Sequence, residues 1–270
     1  MSNREIDKAD FERYFPFTPT ALAIKECARL TALRKHECPG PILDVGCGDG
    51  LFASLAFGGA EVWGIDIDAA EGRWASASRA YSQIVLGDVT QAQLPQGFFK
   101  SCVANCSLEH VPRIDLALEN IRKSLQPGGK AYLFVPNKEW TRQLVSAQVL
   151  SKLSPALADK LRNAVDNVFK HHHLYDAQGW REVVEKAGLE VEAVDPVLSS
   201  ATTVTFELFL LPSIAGWANK HLTTRWTNFP RFRRAMADPI YSLVKTAMSV
   251  ADQSPTAEFL VVARRPAAED

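Results

Sequence analysis

The chain lacks any apolar run long enough to cross a bilayer, which takes about 20 uninterrupted residues. Its most apolar stretch, Val204 to Trp217, is broken by Glu207 and Pro212 and closed by Asn219. Cysteine is sparse too. Cys27, Cys38, Cys47, Cys102 and Cys106 form no C-x-x-C pair and no even framework. That spacing argues against a disulfide scaffold and a structural zinc site, and it predicts reduced thiols in a cytoplasmic protein. There is no excess of either charge: 30 Lys and Arg stand against 31 Asp and Glu, so no global field selects nucleic acid as a partner. Repeats and low-complexity tracts are missing. The opening residues, MSNREIDKAD, carry charge where a secretory signal carries an apolar core, so no such signal is expected.

What is present is an ordinary globular composition, 47% hydrophobic and 23% charged over 270 residues, enough for one large domain or two small ones. The stretch Pro41–Phe52, PILDVGCGDGLF, organises the rest. Ile42, Leu43 and Val45 read as a buried parallel strand ending at Asp44-Val45, and glycines at 46, 48 and 50 then form a tight turn opening a helix at Leu51. Glycine suits such a turn because it accepts positive φ and lets backbone approach a ligand with no Cβ between them.

Before it, a polar arm with Phe11, Tyr14 and Phe15 is expected to pack its aromatics on the core, and Leu22, Ile24, Cys27, Leu30 and Leu33 recur at helical spacing. After it, strands are expected at Val62–Ile65, Ile84–Leu86, Ser101–Asn105, Ala131–Val135, Leu189–Val194 and Phe259–Ala263. Helices alternate with them, one carrying Leu116, Ile121 and Leu125 and stopping at Pro127-Gly128-Gly129, another capped by Asp176. Strands and helices in alternation imply a doubly wound α/β sheet. Trp140 to Phe169 reads as helical, and residues 171–175 as loop. The segment 199–254 is unusual: apolar at the front, then basic and aromatic from Lys220 to Arg234.

With these motifs in order, the chain resembles the class I S-adenosylmethionine-dependent methyltransferases, and within them the small-molecule group related to ubiquinone-biosynthesis methyltransferases. LDVGCGDG (43–50) matches the glycine-rich cofactor loop, GIDID (64–68) the acidic end of the second strand, and GDVTQAQLP (87–95) the adenine-side segment. SLEHV (107–111) matches the turn after the fourth strand, and LQPGG (125–129) the turn before the fifth. The resemblance covers residues 38–137 closely and 171–197 and 258–265 more loosely, and it does not account for the segment 199–254. It implies a Rossmann-like fold of seven mostly parallel strands with an antiparallel last strand, preceded by a helical insert. A helical arm over 1–36 and a methyltransferase domain over 37–270 follow, with lid or insert segments at about 138–175 and 199–254.

The resemblance also implies S-adenosylmethionine as cofactor and gives each site residue a task. Asp44 would face the ammonium, and Gly46 and Gly48 would lie against the amino-acid and ribose parts. Asp66, which follows Asp44 by 22 residues, would accept the ribose hydroxyls. Asp88 and the backbone of Val89 would meet the adenine edge, with Ile67 and Leu94 as its walls and Asn105 nearby. The nearest rival, an NAD-dependent dehydrogenase, wants G-x-G-x-x-G, whereas this turn reads G-x-G-x-G.

Methyl transfer from a sulfonium needs mainly alignment, plus a base for a hydroxyl or carbon acid. His110 is the candidate base. Related enzymes place a metal near this turn with an extra acid; here Asn105, Cys106 and Ser107 stand upstream of Glu109, so no metal is expected. One of His171, His172 and His173, or Tyr175, is expected to border the acceptor. The insert suggests a small lipophilic acceptor, methylated on O or C, and leaves open a peripheral membrane contact through 199–234. An RNA or protein methyltransferase and a non-catalytic cofactor-binding partner remain as alternatives.

Overall fold

The computed structural model describes residues 6–223, 225–249 and 257–267. In chain order these residues form α1 (Lys8–Tyr14), α2 (Thr20–Leu33), β1 (Ile42–Val45), α3 (Leu51–Ala56), β2 (Val62–Asp66), α4 (Ala69–Ser78), β3 (Gln83–Leu86), β4 (Phe99–Asn105), α5 (Ile114–Ser124) and β5 (Leu125–Pro136). There follow α6 (Val145–Leu153), α7 (Pro155–Phe169), α8 (Ala177–Lys186), β6 (Glu190–Pro196), α9 (Ser200–Leu208), α10 (Leu210–Thr223), α11 (Pro230–Met248) and β7 (Glu258–Arg264). The chain divides into two compact units. One comprises Leu33–Lys138, Asn167–Pro196 and Glu258–Asp270; the other comprises Met1–Ala32, Glu139–Asp166 and Val197–Ala257.

The first unit holds a seven-stranded sheet in the order β3-β2-β1-β4-β5-β7-β6. All neighbours are parallel except those of β7, which runs antiparallel to both β5 and β6. The α/β class, the strand count and the antiparallel last strand are those expected. The central strands are buried on both faces: all four residues of β1 are buried, Asp44 included, and the LVVA of β7 reads as an unbroken apolar run. Between β1 and β4 the strand order reverses, and the crevice at the carboxyl ends of these two strands is where such sheets take ligands.

One expectation needs correction. Pro127-Gly128-Gly129 does not end α5 but lies inside β5, and the helix has already stopped at Ser124. The packed face of α5 is Ile114, Ala117, Leu118 and Ile121, while Leu116 is only half-buried. Leu125 is a strand residue paired with Phe99, and a register shift between Phe99 and Ser101 takes up the extra residues. Gly128 N donates to Arg265 O (3.0 Å) and Arg265 N to Gly129 O (2.8 Å), so this segment is held by the chain beyond β7.

The second unit is helical. Phe11, Tyr14 and Phe15 are buried, as the arm's aromatics were expected to be. Arg233 of α11 donates to Phe15 O (2.9 Å) and Thr18 O (2.6 Å), with its guanidinium 4.0 Å from the centre of the Phe15 ring. Glu207 accepts from Val145 N and from Ser146 N (3.0 Å), so a carboxylate on α9 satisfies the open amides at the start of α6. The start of the insert is packed inward: Ala201, Thr202, Thr203, Thr205 and Phe206 are buried, whereas Leu208 is exposed. Among the described residues no helix is long and apolar enough to cross a membrane.

Candidate cofactor site

The glycine turn is built by its φ angles. Gly46, Gly48 and Gly50 take +74°, +53° and +79°, a region costly for side-chain-bearing residues. Two of the three are also steric necessities. A Cβ on Gly46 would lie 2.4 Å from the Ser107 Cβ, and one on Gly50 would lie 2.6 Å from the Ser78 Oγ. A Cβ on Gly48 would meet nothing within 4 Å, so there the turn faces open space. Gly46 N and Cys47 N both donate to Ile65 O (2.8 and 3.1 Å), which locks the turn to β2. Ser107 Oγ donates to Val45 O (2.6 Å) and ties the turn after β4 to the end of β1.

Around this turn the carboxylates are pinned by backbone. Asp66 Oδ2 accepts from Gly48 N (2.8 Å), and Oδ1 accepts from Asp68 N (2.9 Å). Each oxygen keeps further acceptor capacity, aimed by two fixed donors. Asp88 Oδ1 accepts from Thr90 N (2.8 Å) at the end of β3. Asp44 is buried, and its Oδ2 accepts from the Tyr81 hydroxyl (2.7 Å), which also reaches Cys47 O (3.3 Å). Burial, reinforced by the Asp44 charge, raises the Tyr81 pKa, so the hydroxyl stays a donor. Nothing in the apolar pattern marks Tyr81; only its place just before β3 hints at it.

The remaining expected residues scatter more. Asn105 ends β4. Val89 and Leu94 belong to the apolar core of the sheet unit, whereas Ile67 is 76% exposed at the β2 end. Asn120 Nδ2 donates to Val89 O (2.7 Å) and Ala92 O (2.9 Å), fixing the segment after Asp88. The Cys47 thiol is raised in pKa by burial, then by Asp44 and Asp66, and is no nucleophile.

His110 lies in a short turn of 3-10 helix, Leu108–His110. Its ring stacks on His171 at 5.3 Å, and His171 in turn on Phe169 at 5.7 Å. Nδ1 lies 3.3 Å from Lys170 O. Burial lowers the His110 pKa below its ordinary 6.5, partly offset by that carbonyl, so the ring is neutral at pH 7. His172 N and His173 N donate to Glu109 O (2.8 and 3.2 Å), and His173 Nε2 lies 3.0 Å from Val111 O. The three histidines thus diverge, yet their loop is strapped to the turn that carries His110. One carboxylate oxygen of Glu109 and one nitrogen each of His110 and His171 lie within 4.8 Å of one another. A carboxylate and two imidazoles are donors suited to a divalent transition ion.

Comparison with known proteins agrees with this geometry. Residues 20–194, more than half of the chain, match the model of a family described as a methyltransferase domain. An uncharacterized methyltransferase of Mycobacterium tuberculosis is 38% identical over 91 residues, 33% of this chain and 46% of that protein. A ubiquinone biosynthesis O-methyltransferase of Pectobacterium carotovorum is 30% identical over 123 residues, 42% of this chain and 52% of that one. The chain therefore spans about half the length of the curated relatives it matches. Among solved structures, an S-adenosylmethionine dependent methyltransferase from Mesorhizobium loti superposes with a TM-score of 0.56 at 17% identity, covering 90% of this chain and 100% of that one. A geranyl diphosphate methyltransferase does so at 0.54 and 13%, covering 88% and 77%. Two carboxylates pinned at the ends of β2 and β3, a glycine turn open at Gly48 and the family match converge: the chain belongs to the S-adenosylmethionine-dependent methyltransferases.

Proposed function

We propose that the protein transfers the methyl group of S-adenosylmethionine to a small lipophilic acceptor at oxygen or carbon. The observation that carries the cofactor half is the Asp66 carboxylate, held by Gly48 N and Asp68 N beside a turn with open space at Gly48. A pinned carboxylate suits a pair of ribose hydroxyls because its orientation is fixed before they arrive. Asp44 faces the amino-acid end, and Asp88 with the Val89 amide the adenine edge. When bound, the cofactor supplies an electrophilic methyl on an activated sulfonium leaving group. The chain then has to exclude water and align the acceptor nucleophile with that methyl, a task of positioning. His110, neutral at pH 7, takes the acceptor's proton as the new bond forms. With His110 as the base, this reading assigns no task to a metal. A chelator is expected to leave turnover unchanged, whereas activity restored by a divalent ion would reassign Glu109, His110 and His171 as ligands.

The lipophilic acceptor is supported by the apolar character of the insert and by the similarity to ubiquinone biosynthesis O-methyltransferases. The cofactor half is tested by titrating S-adenosylhomocysteine into the full chain by calorimetry. Binding is expected well below about 1 mM, and none at that level would contradict the reading. Asp66→Ala removes charged hydrogen bonds worth about 1.5–3 kcal/mol each, so its affinity should fall at least about tenfold. An unchanged affinity would refute the ribose assignment.

A further inference from the structure

The helical unit carries a solvent-facing apolar stripe that the reaction does not explain. On α11, Phe232, Met236, Pro239 and Leu243 are all exposed and follow the i, i+4, i+7, i+11 spacing of a single helix face. The packed face is a separate one. It consists of Arg233, Ala237, Tyr241 and Val244, and it meets the arm through Phe15, Thr18, Phe11 and the Ile6 carbonyl. The stripe is one residue out of phase with this face, about 100° around the helix. It continues to Phe229 in the preceding loop, 73% exposed, and to Leu222 at the end of α10, 85% exposed, against 68% for Phe232. A helix that has already buried one apolar face has no folding reason to show a second.

The charge around the stripe is one-sided. Between residues 208 and 249 stand Lys220, Arg225, Arg231, Arg233, Arg234 and Lys245 against a single acid, Asp238, in a chain whose net charge is −1. That acid is already paired with Lys8 at 2.5 Å. Arg225, Arg231, Arg234 and Lys245 are exposed. We infer that this surface, residues 222–243, docks on the headgroup–acyl boundary of an anionic lipid bilayer. Phe229, Phe232 and Leu243 enter the apolar layer, and Arg225 and Arg231 meet the phosphates. A second copy of the chain is the poorer occupant. A two-fold interface sets each patch against itself, bringing like charges together. The sequence pattern alone leaves the contact open over 199–234; Ala201, Thr202, Thr203, Thr205 and Phe206 at its start are buried, and the surface lies one and two helices further on, with its apolar residues outward.

The test is flotation of the full-length protein with vesicles of phosphatidylcholine alone, or with about 30 mol % phosphatidylglycerol, at about 0.1 M and about 1 M salt. Binding is expected only with the anionic vesicles and should weaken at high salt. Arg225→Glu/Arg231→Glu should lower partitioning by roughly 25-fold or more, about fivefold for each positive charge lost. Phe229→Ser/Phe232→Ser should abolish it even at low salt. If that variant does not fold, Leu243→Ser reads the same stripe three turns along. Equal binding to neutral vesicles, or none to either, overturns the inference. So do a concentration-dependent dimer abolished by Phe232→Ser, and retention on single-stranded RNA without vesicle binding. The readout needs neither cofactor nor acceptor, so a failure to bind S-adenosylhomocysteine would sink the methyl-transfer reading and leave this one standing.

Discussion

Gly46 and Gly48 share positive φ but differ in what a side chain would meet, and the difference separates folding from binding. Alanine at 46 adds a 2.4 Å clash with Ser107 Cβ to the left-handed strain. Gly46→Ala should therefore cost about 2–5 kcal/mol in urea denaturation, the sum of overpacking and backbone terms. Alanine at 48 meets no protein atom, so Gly48→Ala should cost only about 1–2 kcal/mol while its methyl group enters the space assigned to the cofactor. Affinity for S-adenosylhomocysteine should then fall more for Gly48→Ala than its stability loss alone accounts for. Equal affinity in Gly48→Ala and the unaltered chain would place the cofactor elsewhere.

His110 gives a pH signature at the same scale. Its native pKa lies below 6.5 because burial disfavours the imidazolium, while the unfolded chain titrates at the ordinary value. Above 6.5 the group is neutral in both states and leaves stability unchanged. As pH falls from 6.5 through the native midpoint, the unfolded state takes up the proton first and stability declines. An NMR titration of the ring, assigned with His110→Asn, should give a midpoint below 6.5. A midpoint at or above it would mean that His171 and Lys170 leave the ring more hydrated than the structure implies.

At the scale of elements, legibility followed locality. Strands β1, β2, β4 and β7 were readable because burial on both faces leaves short apolar stretches, Ile42-Leu43, Val62-Trp63, Cys102–Ala104 and Phe259–Ala263, beside Asp44, Asp66, Asn105 and Arg264. Asp176 announced α8 because a side-chain cap acts within one turn, and its Oδ1 does accept from Gly179 N (2.9 Å). What could not be read is held from far away. Pro127-Gly128-Gly129 reads as a helix stop, yet its backbone is claimed by Arg265 at the other end of the chain. Glu207 reads as a flaw in an apolar run, yet it serves the amides of Val145 and Ser146, some 60 positions earlier. The site shows the same division. Asp44, Asp66, Asp88 and the glycines follow their strands directly, whereas Tyr81 reaches Asp44 only through the parallel pairing that brings β3 and β1 to the two sides of β2. The contact of His171 with His110 depends on a loop strapped to Glu109 O by His172 N and His173 N, some 60 positions away in sequence, which no spacing encodes.

At the scale of the molecule, the two proposed sites fall on different compact units. Every residue assigned to the cofactor lies in the sheet unit, and every residue assigned to the bilayer lies in the helical unit. A ligand stabilises only those openings that break its own site. Saturating S-adenosylhomocysteine at about 100 times its dissociation constant should therefore slow amide exchange up to about 100-fold across residues 42–50, 62–68 and 83–91. Over Ser200–Leu208 and Pro230–Met248 it should leave exchange nearly unchanged, because the arm and α11 are held there by contacts of their own, such as those of Arg233 and Tyr241. Hydrogen exchange followed by mass spectrometry reads both regions in one sample. Equal slowing in both would mean that the units open as one cooperative body, and that the helical layer is stabilised by whatever the sheet unit binds.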